Sequence, residues 1–366
     1  MSNPTHTEAN FSKKDTYGLI MAGGIGSRFW PVSTEDFPKQ FHDLLGCGRT
    51  LIQKTFDRIS KIIPAENILI LTNERYKKLV LEQLPEISES QLVLEPAMKN
   101  TAPCILLSSL KIHKRNPNAL VLVAPSDHWI EDEKAFQENI LTSFETCKNR
   151  EVLMTLGIQP TFPNTGYGYI QYDKHEAAVV KKVLRFTEKP DYQTAKNFLS
   201  QGNFAWNAGI FIWSTQSILS AFQKYLPEMY QLFITGQNLL NTTEEVNFIN
   251  RNYPLAENIS IDYGILEKAE NVYLLPADFD WNDLGTWGSL YLKSSKNAEG
   301  NAVLNNNALL PDSYDNLIYA EENKKLIISG LRNYIVVSTS NELLVVPKEQ
   351  EQEIKQWLKL WNQPKV

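Results

Sequence analysis

Two strings of residues stand out for the chemistry they can do. Gly23-Gly24-Ile25-Gly26-Ser27-Arg28-Phe29-Trp30-Pro31 follows an apolar run, and Pro38-Lys39-Gln40 comes shortly after. Glycines let backbone N–H groups approach a ligand closely, and a helix start beyond them favours anions. Arg28 offers a planar fork of donors and Lys39 a compact charge, which together suit a polyphosphate. The string is not a P-loop, because the G-K-[ST] ending is absent, and the third glycine of a dinucleotide fingerprint falls on Phe29. Asp127 lies just past the apolar run Leu120–Pro125, and Asp283 lies in a turn framed by Trp and Gly. A hard Mg²⁺ ion takes one or two carboxylates plus phosphate oxygens; capping a helix or turn is the ordinary alternative for such aspartates. Asp278 and Asp280 are close alternatives to Asp283.

The rest of the chain narrows the chemistry by exclusion. Three cysteines and five histidines show no metal spacing, and no Ser-His-Asp or Cys-His constellation is evident. With 36 basic and 42 acidic residues the net charge is −6, which gives no basic footprint for nucleic acid. The stretch Met1–Asp15 is polar without the apolar centre of a leader, and no apolar run is long enough for a membrane helix. The expectation is a cytoplasmic protein with no membrane partner.

The elements that must position these residues are legible as apolar runs. Gly18–Ala22, Ile68–Thr72, Gln91–Glu95, Leu120–Pro125 and Val152–Ile158 predict buried strands. Helical patterns lie between them, at Leu51 to Ile62, Ile105 to Ile112 and Phe136 to Phe144. Strands without polar alternation, separated by helices, predict a doubly wound, mostly parallel α/β sheet. Such sheets bind ligands at the carboxyl ends of their strands, where Asp127 and the glycine-rich string stand. Beyond about Leu290 the pattern changes to short strands, including Tyr334–Ser338 and Leu343–Val346, and closes with Ile354, Trp357, Leu358 and Trp361 at helical spacing. The organisation expected is a polar tail over 1–15, a catalytic domain over 16–292 and a small β-rich appendage with a terminal helix over 293–366.

The two cationic strings resemble those of sugar-1-phosphate nucleotidyltransferases, and Trp30-Pro31 with Lys39-Gln40-Phe41 is similar to the guanylyltransferase branch that acts on mannose 1-phosphate. The resemblance continues through Glu95-Pro96, Asn100-Thr101-Ala102-Pro103, Pro125-Ser126-Asp127-His128, Thr165-Gly166-Tyr167-Gly168-Tyr169-Ile170, Phe186-Thr187-Glu188-Lys189-Pro190, Trp206-Asn207-Ala208-Gly209 and Trp281-Asn282-Asp283-Leu284-Gly285-Thr286-Trp287. It implies a Rossmann-like (GT-A-like) nucleotidyltransferase fold with a β-helix-like appendage. It also implies transfer of GMP from GTP to mannose 1-phosphate with Mg²⁺, releasing pyrophosphate. Arg28, Lys39, Asp127, Lys189 and Asp283 then become the catalytic set, with Asp127 and Asp283 as metal ligands. Ala22, Gly23, Gly24, Gly26, Ser27, Arg28, Glu95, Asn100 and Thr101 become nucleotide contacts, although Asn100 could simply shape its loop. Gly168, Glu188, Lys189 and Asn207 fall to the sugar phosphate. Tyr167 and Tyr169 either stack on the sugar or fill the wall behind it, and Asp262 belongs to a further matching motif whose role could be structural. A homodimer through the appendage is part of the same expectation. The alternatives are the same chemistry on another sugar 1-phosphate, a heptose or glucose, or an inactive nucleotide-sugar-binding relative; an NAD-linked oxidoreductase is disfavoured by the missing glycine. The 79 residues after Trp287 hold no histidine, the last being His175, so a metal-dependent isomerase domain is not expected.

Overall fold

The computed structural model describes residues 11–24, 26–304, 307–321 and 324–361. Ile25 of the glycine-rich string and residues 1–10 of the polar tail lie outside them. The described residues group into two units. One takes the chain up to Gly23, then Phe56–Pro125 and Ile130–Trp281; the other takes Gly24–Thr55, Ser126–Trp129 and the chain from Asn282 onward. This grouping cuts across the boundary expected between residues 292 and 293.

The first unit is built on a nine-stranded sheet. Its strands are β1 (Thr16–Met21), β2 (Ile68–Asn73), β3 (Leu92–Glu95), β4 (Leu120–Pro125), β5 (Leu153–Ile158), β6 (Tyr169–Tyr172), β7 (Lys181–Thr187), β8 (Phe204–Ser214) and β9 (Val272–Ala277). They lie in the order β3-β2-β1-β4-β8-β5-β9-β7-β6, with β6 also pairing to β8. β1 through β4 are parallel neighbours, and β5 is parallel to β9. Only β7 and β8 run against the other strands, since β8 is antiparallel to both β4 and β5 and β7 is antiparallel to β9. The sheet is therefore mostly parallel, as the uninterrupted apolar runs imply.

Strand β9 has no clear sequence signal. Pro276 interrupts its apolar run, and a proline speaks against a central strand because it has no N–H to give the ladder. The strand forms regardless, with Pro276 opposite Gly157 of β5. The helix Thr101–Arg115 is buried along all of Ala102–Ile112, lying between the sheet and the helices Thr215–Tyr225 and Pro227–Ile234. Several helices start where a side chain satisfies an orphan N–H: Asp132 accepts from Ala135, Asp191 from Thr194 and Ser214 from Ser217.

The second unit contains the appendage. Strands β10 (Ala302–Leu304), β11 (Leu317–Ala320) and β12 (Tyr334–Ser338) stack in parallel, with Ala302, Leu317 and Ile335 in register, and β13 (Leu343–Pro347) closes the sheet antiparallel to β12. At the corner of the stack two buried asparagines form a ladder. Asn316 Nδ2 donates to Asn301 Oδ1 at 2.9 Å, and the Tyr334 N–H donates to Asn316 Oδ1 at 2.9 Å. Such side-chain ladders stabilise flat stacking and satisfy buried polar groups. The short rungs are the β-helix-like region expected from sequence. Their core is shared: Leu317, Ile335, Val337 and Ile354 cluster with Phe29, Leu44, Leu51 and Trp287. That common core is why residues of the glycine-rich string group with the C-terminal strands.

Candidate active site

Lys39 is the centre of the site in the second unit. It sits at the start of a short 3₁₀ turn and is only 4% exposed. Its ammonium is 2.8 Å from Asp127 Oδ2 and donates to the main-chain oxygens of Asp283 at 3.0 Å and Leu284 at 2.9 Å. An ammonium has three N–H donors, and all three meet protein oxygens here. Burial works against the charged form of Asp127, but Lys39, with help from His128, holds its carboxyl below the usual value. His128 Nε2 stands 4.0 Å from Asp127 Oδ1.

The turn carrying Asp283 is shaped by its own side chains. Asp283 Oδ1 accepts from Gly285 N–H at 3.0 Å, and Asn282 Oδ1 accepts from Leu284 N–H at 2.7 Å. Leu284 takes a positive φ of 43° while its side chain is fully buried in the second unit's core. It is Asp283, rather than Asp278 or Asp280, whose main chain Lys39 engages. Gly26 enters the same cluster by steric necessity: its φ is +64°, and a Cβ there would lie 2.5 Å from Lys39 Cβ. Gln40 Nε2 donates to Gly24 O at 3.0 Å, tying the string to the Lys39 turn. Arg28 lies in the turn Ser27–Phe29, whose Phe29 packs on Trp287 at 4.9 Å between centroids.

The first unit holds two further groups of the expected residues. Glu95 ends β3 and is buried; burial pushes its carboxyl up to about 7, although Tyr253 donates to its Oε2. Gly23 lies beside it, since a Cβ there would sit 3.5 Å from Glu95 Oε1. Ala22 is fixed at the end of β1, donating to Leu71 O and accepting from Thr72 Oγ1. Asn100 is exposed with φ 64°, shaping the entry to the helix that begins at Thr101. Thr101 Oγ1 accepts from Ile261 N–H at 2.9 Å.

The next residue, Asp262, begins the second group. Its Oδ1 accepts from Asn207 Nδ2 at 2.8 Å, while Asn207 Oδ1 accepts from Gly209 N–H at 3.0 Å. Asn207 lies at an irregularity in the β5–β8 pairing, where a bulge re-aims side chains. Its N–H donates to Gly168 O at 2.9 Å, and a Cβ on Gly168 would collide with Glu188 Oε2. Glu188 and Lys189 pair at 2.7 Å, with Lys189 at φ 45° and 60% exposed. Burial, and then the Glu188 charge, pushes the Asp262 carboxyl up to about 6 against the Asn207 hydrogen bond. Asp262 opens a π-helical turn, a feature frequent at functional sites. Of the two tyrosines left open, Tyr169 is fully buried, while Tyr167 packs edge-on between Trp206 and Trp281.

Sequence reasoning left Asp262 without a role and did not single out Tyr253. The only sequence signal for Asp262 was its motif; nothing local marks Tyr253.

Comparison with known proteins follows the same residues. The family model described as nucleotidyl transferase matches residues 17–300. A mannose-1-phosphate guanylyltransferase of Escherichia coli is 34% identical over 352 residues, covering 94% of this chain and 74% of the relative. A solved structure described as mannose-1-phosphate geranyltransferase from Thermus thermophilus aligns with a TM-score of 0.84 and 31% identity, over 95% of this chain and 99% of the other. One described as mannose-6-phosphate isomerase from Helicobacter pylori aligns with a TM-score of 0.61 and 25% identity, over 73% of this chain and 99% of the other. The carboxylates, cations and glycines assembled in the two units thus stand on a nucleotidyltransferase scaffold, and the chain belongs to the nucleotidyl transferase family.

Proposed function

We propose that this nucleotidyltransferase moves GMP from GTP to α-D-mannose 1-phosphate, giving GDP-mannose and pyrophosphate. The observation that carries the reading is the Lys39 ammonium, which gathers Asp127 and the Asp283 turn onto one buried cation. The attacking group is a phosphate oxygen, already ionised near neutral pH, so the reaction needs no general base. It needs two anions brought together, aligned and neutralised. Arg28 faces that task for the polyphosphate and Lys189 for the sugar phosphate, with Glu188 and Asn207 as partners for sugar hydroxyls. Glu95, Asn100 and Thr101 serve the nucleoside.

The donor set suits Mg²⁺. Asp127 and Asp283 offer hard carboxylate oxygens, and no nitrogen or sulfur ligand is needed. Lys39 keeps Asp127 ionised, as a metal ligand must be. Bound there, the ion would neutralise phosphate charge, with substrate oxygens and water completing its shell. Residues 16–292 are taken as the catalytic stretch and 293–366 as its supporting appendage, a candidate homodimer surface. Three free cysteines suit a reducing cytoplasm, and no helix among the described residues is long and apolar enough to cross a membrane.

The test is pyrophosphate release across a matrix of nucleoside triphosphates and sugar 1-phosphates. The reading requires GTP with mannose 1-phosphate to be the best pair. A clear preference for another sugar, or binding without release, would replace it.

A further inference from the structure

In the first unit, one segment reaches both Glu95 and Thr101. Tyr253 opens the 3₁₀ turn Tyr253–Leu255 and is fully buried, its ring centroid 5.8 Å from that of Phe233. Its hydroxyl donates to Glu95 Oε2, while the Glu95 main-chain oxygen accepts from Asn73 Nδ2 at 3.0 Å. The other carboxylate oxygen, Oε1, lies on the side of Gly23. Further along the segment, Ile259 O accepts from Ala102 N–H at 3.1 Å and Ile261 N–H donates to Thr101 Oγ1 at 2.9 Å. Before it, Glu245 starts the helix Glu245–Asn252 that leads into Tyr253, and forms an ion pair with the buried Lys111. Tyr253 therefore sits between two ties to the helix Thr101–Arg115, one at Lys111 and one at Thr101–Ala102.

We propose that Tyr253 is a positioning residue for nucleobase recognition: its hydroxyl holds the Glu95 carboxylate in one orientation and so sets which base the site accepts. This rests on the reading of Glu95 as a nucleoside contact and goes beyond it by naming the residue that makes Glu95 selective. An ionised carboxylate only accepts, through about four lone-pair sites; Tyr253 takes one and restricts where the others point. Guanine offers such an acceptor two adjacent donors, its ring N1–H and its 2-amino group. Adenine has a bare ring nitrogen at the same place. A hydrogen bond from a hydroxyl to a carboxylate is among the stronger ones, and a glutamate fixed before the base arrives loses less binding energy to its own ordering. Burial keeps the Tyr253 hydroxyl protonated and hence a donor. A ring that only filled the core would need no hydroxyl here, because phenylalanine fills the same space without burying a polar group.

The experiment uses the full chain in the presence of Mg²⁺. Calorimetry gives Kd for GTP, ATP, CTP and UTP, and initial rates are taken with whichever nucleotide and sugar 1-phosphate pair the wild type turns over. Tyr253→Phe keeps the ring and removes the hydroxyl alone; Glu95→Gln removes the charge but keeps an oxygen for Tyr253. Tyr253→Phe should remain folded, bind the preferred nucleotide several-fold more weakly and narrow the gap between the best- and worst-bound nucleotides. KM for the nucleotide should rise with it, whereas kcat and KM for the sugar phosphate should stay near wild type. Added to Glu95→Gln, Tyr253→Phe should bring no further loss, since it acts through that carboxylate. Wild-type affinities in Tyr253→Phe, an unchanged gap between nucleotides, equal losses toward both substrates, or full additivity with Glu95→Gln would each overturn the inference. If Glu95→Gln itself leaves every nucleotide Kd unchanged, the reading of Glu95 as a nucleoside contact falls, and the role of Tyr253 falls with it. Glu95→Gln thus tells the two failures apart.

Discussion

Lys39 Nζ stands 2.8 Å from Asp127 Oδ2 and directs its remaining donors to the main chain of Asp283 and Leu284. A lysine expected to meet substrate phosphate is thereby a brace between Asp127 and the turn that carries Asp283. Replacing it by Met keeps the stem and deletes the charge. Lys39→Met should cost roughly 1–3 kcal/mol, the usual range when a polar partner is left unsatisfied, and should depress turnover with either substrate. The pH dependence has a definite sign. Asp127 titrates below its unfolded value in the native state, so its contribution is complete above that unfolded value and fades as pH falls through the folded one. The stability gap between wild type and Lys39→Met, measured by denaturant titration, should therefore be widest near neutrality and narrow in acid. A gap that is constant with pH would remove Asp127 from the account.

Asp127→Asn and Asp283→Asn each take one negative oxygen from the proposed Mg²⁺ site at constant volume. Turnover should fall by roughly 10²–10³, as when a preorganised transition-state contact is lost. Folding, read by circular dichroism, should persist. Chelation of divalent ions should abolish wild-type turnover, and added Mg²⁺ should restore it. Either variant working at near-wild-type speed under saturating Mg²⁺ would exclude that residue from the site.

The cations Arg28 and Lys189 should separate by substrate. Arg28→Ala should raise KM for the nucleotide, because the lost fork serves the polyphosphate. Lys189→Ala should raise KM for the sugar phosphate, since Lys189 pairs with Glu188 in the Gly168–Asn207 group. Initial-rate matrices over both substrates resolve the two. Identical losses toward both substrates in both variants would contradict the assignment.

Asp262 should make sugar use depend on pH. Burial pushes its carboxyl up to about 6, and the ionised form is the stronger acceptor for Asn207 Nδ2. As pH falls through that value, KM for the sugar phosphate should rise. The substrate's own phosphate titrates in the same range, near about 6, so the comparison with Asp262→Asn is what isolates the residue. That variant should keep the substrate's share of the profile and lose the rest. Superimposable profiles would show that Asp262 only supports the fold.

Much of this protein is written locally. β4 spans Leu120–Pro125, as its apolar run predicts, and β1, β2, β3 and β5 fall within a residue or two of theirs, because a buried strand needs only consecutive apolar side chains. The glycine string with its cations was legible as phosphate chemistry from residue type and neighbours, whereas Asp127, Glu188 and Asp283 took their expected roles from the family resemblance. What local pattern cannot hold is pairing between distant segments. It does not say that β8 enters antiparallel between β4 and β5, or that β9 forms in spite of Pro276. Nor does it show that Lys39 hydrogen-bonds a carbonyl 244 residues away. Asp262 against Asn207 and Tyr253 against Glu95 belong to the same class. Periodicity reports which side chains leave water, whereas a hydrogen bond or ion pair exists only once packing has fixed both partners in place. Residue types set the chemistry within reach; the tertiary structure decided which charges are already engaged with one another, as Lys39 is with Asp127.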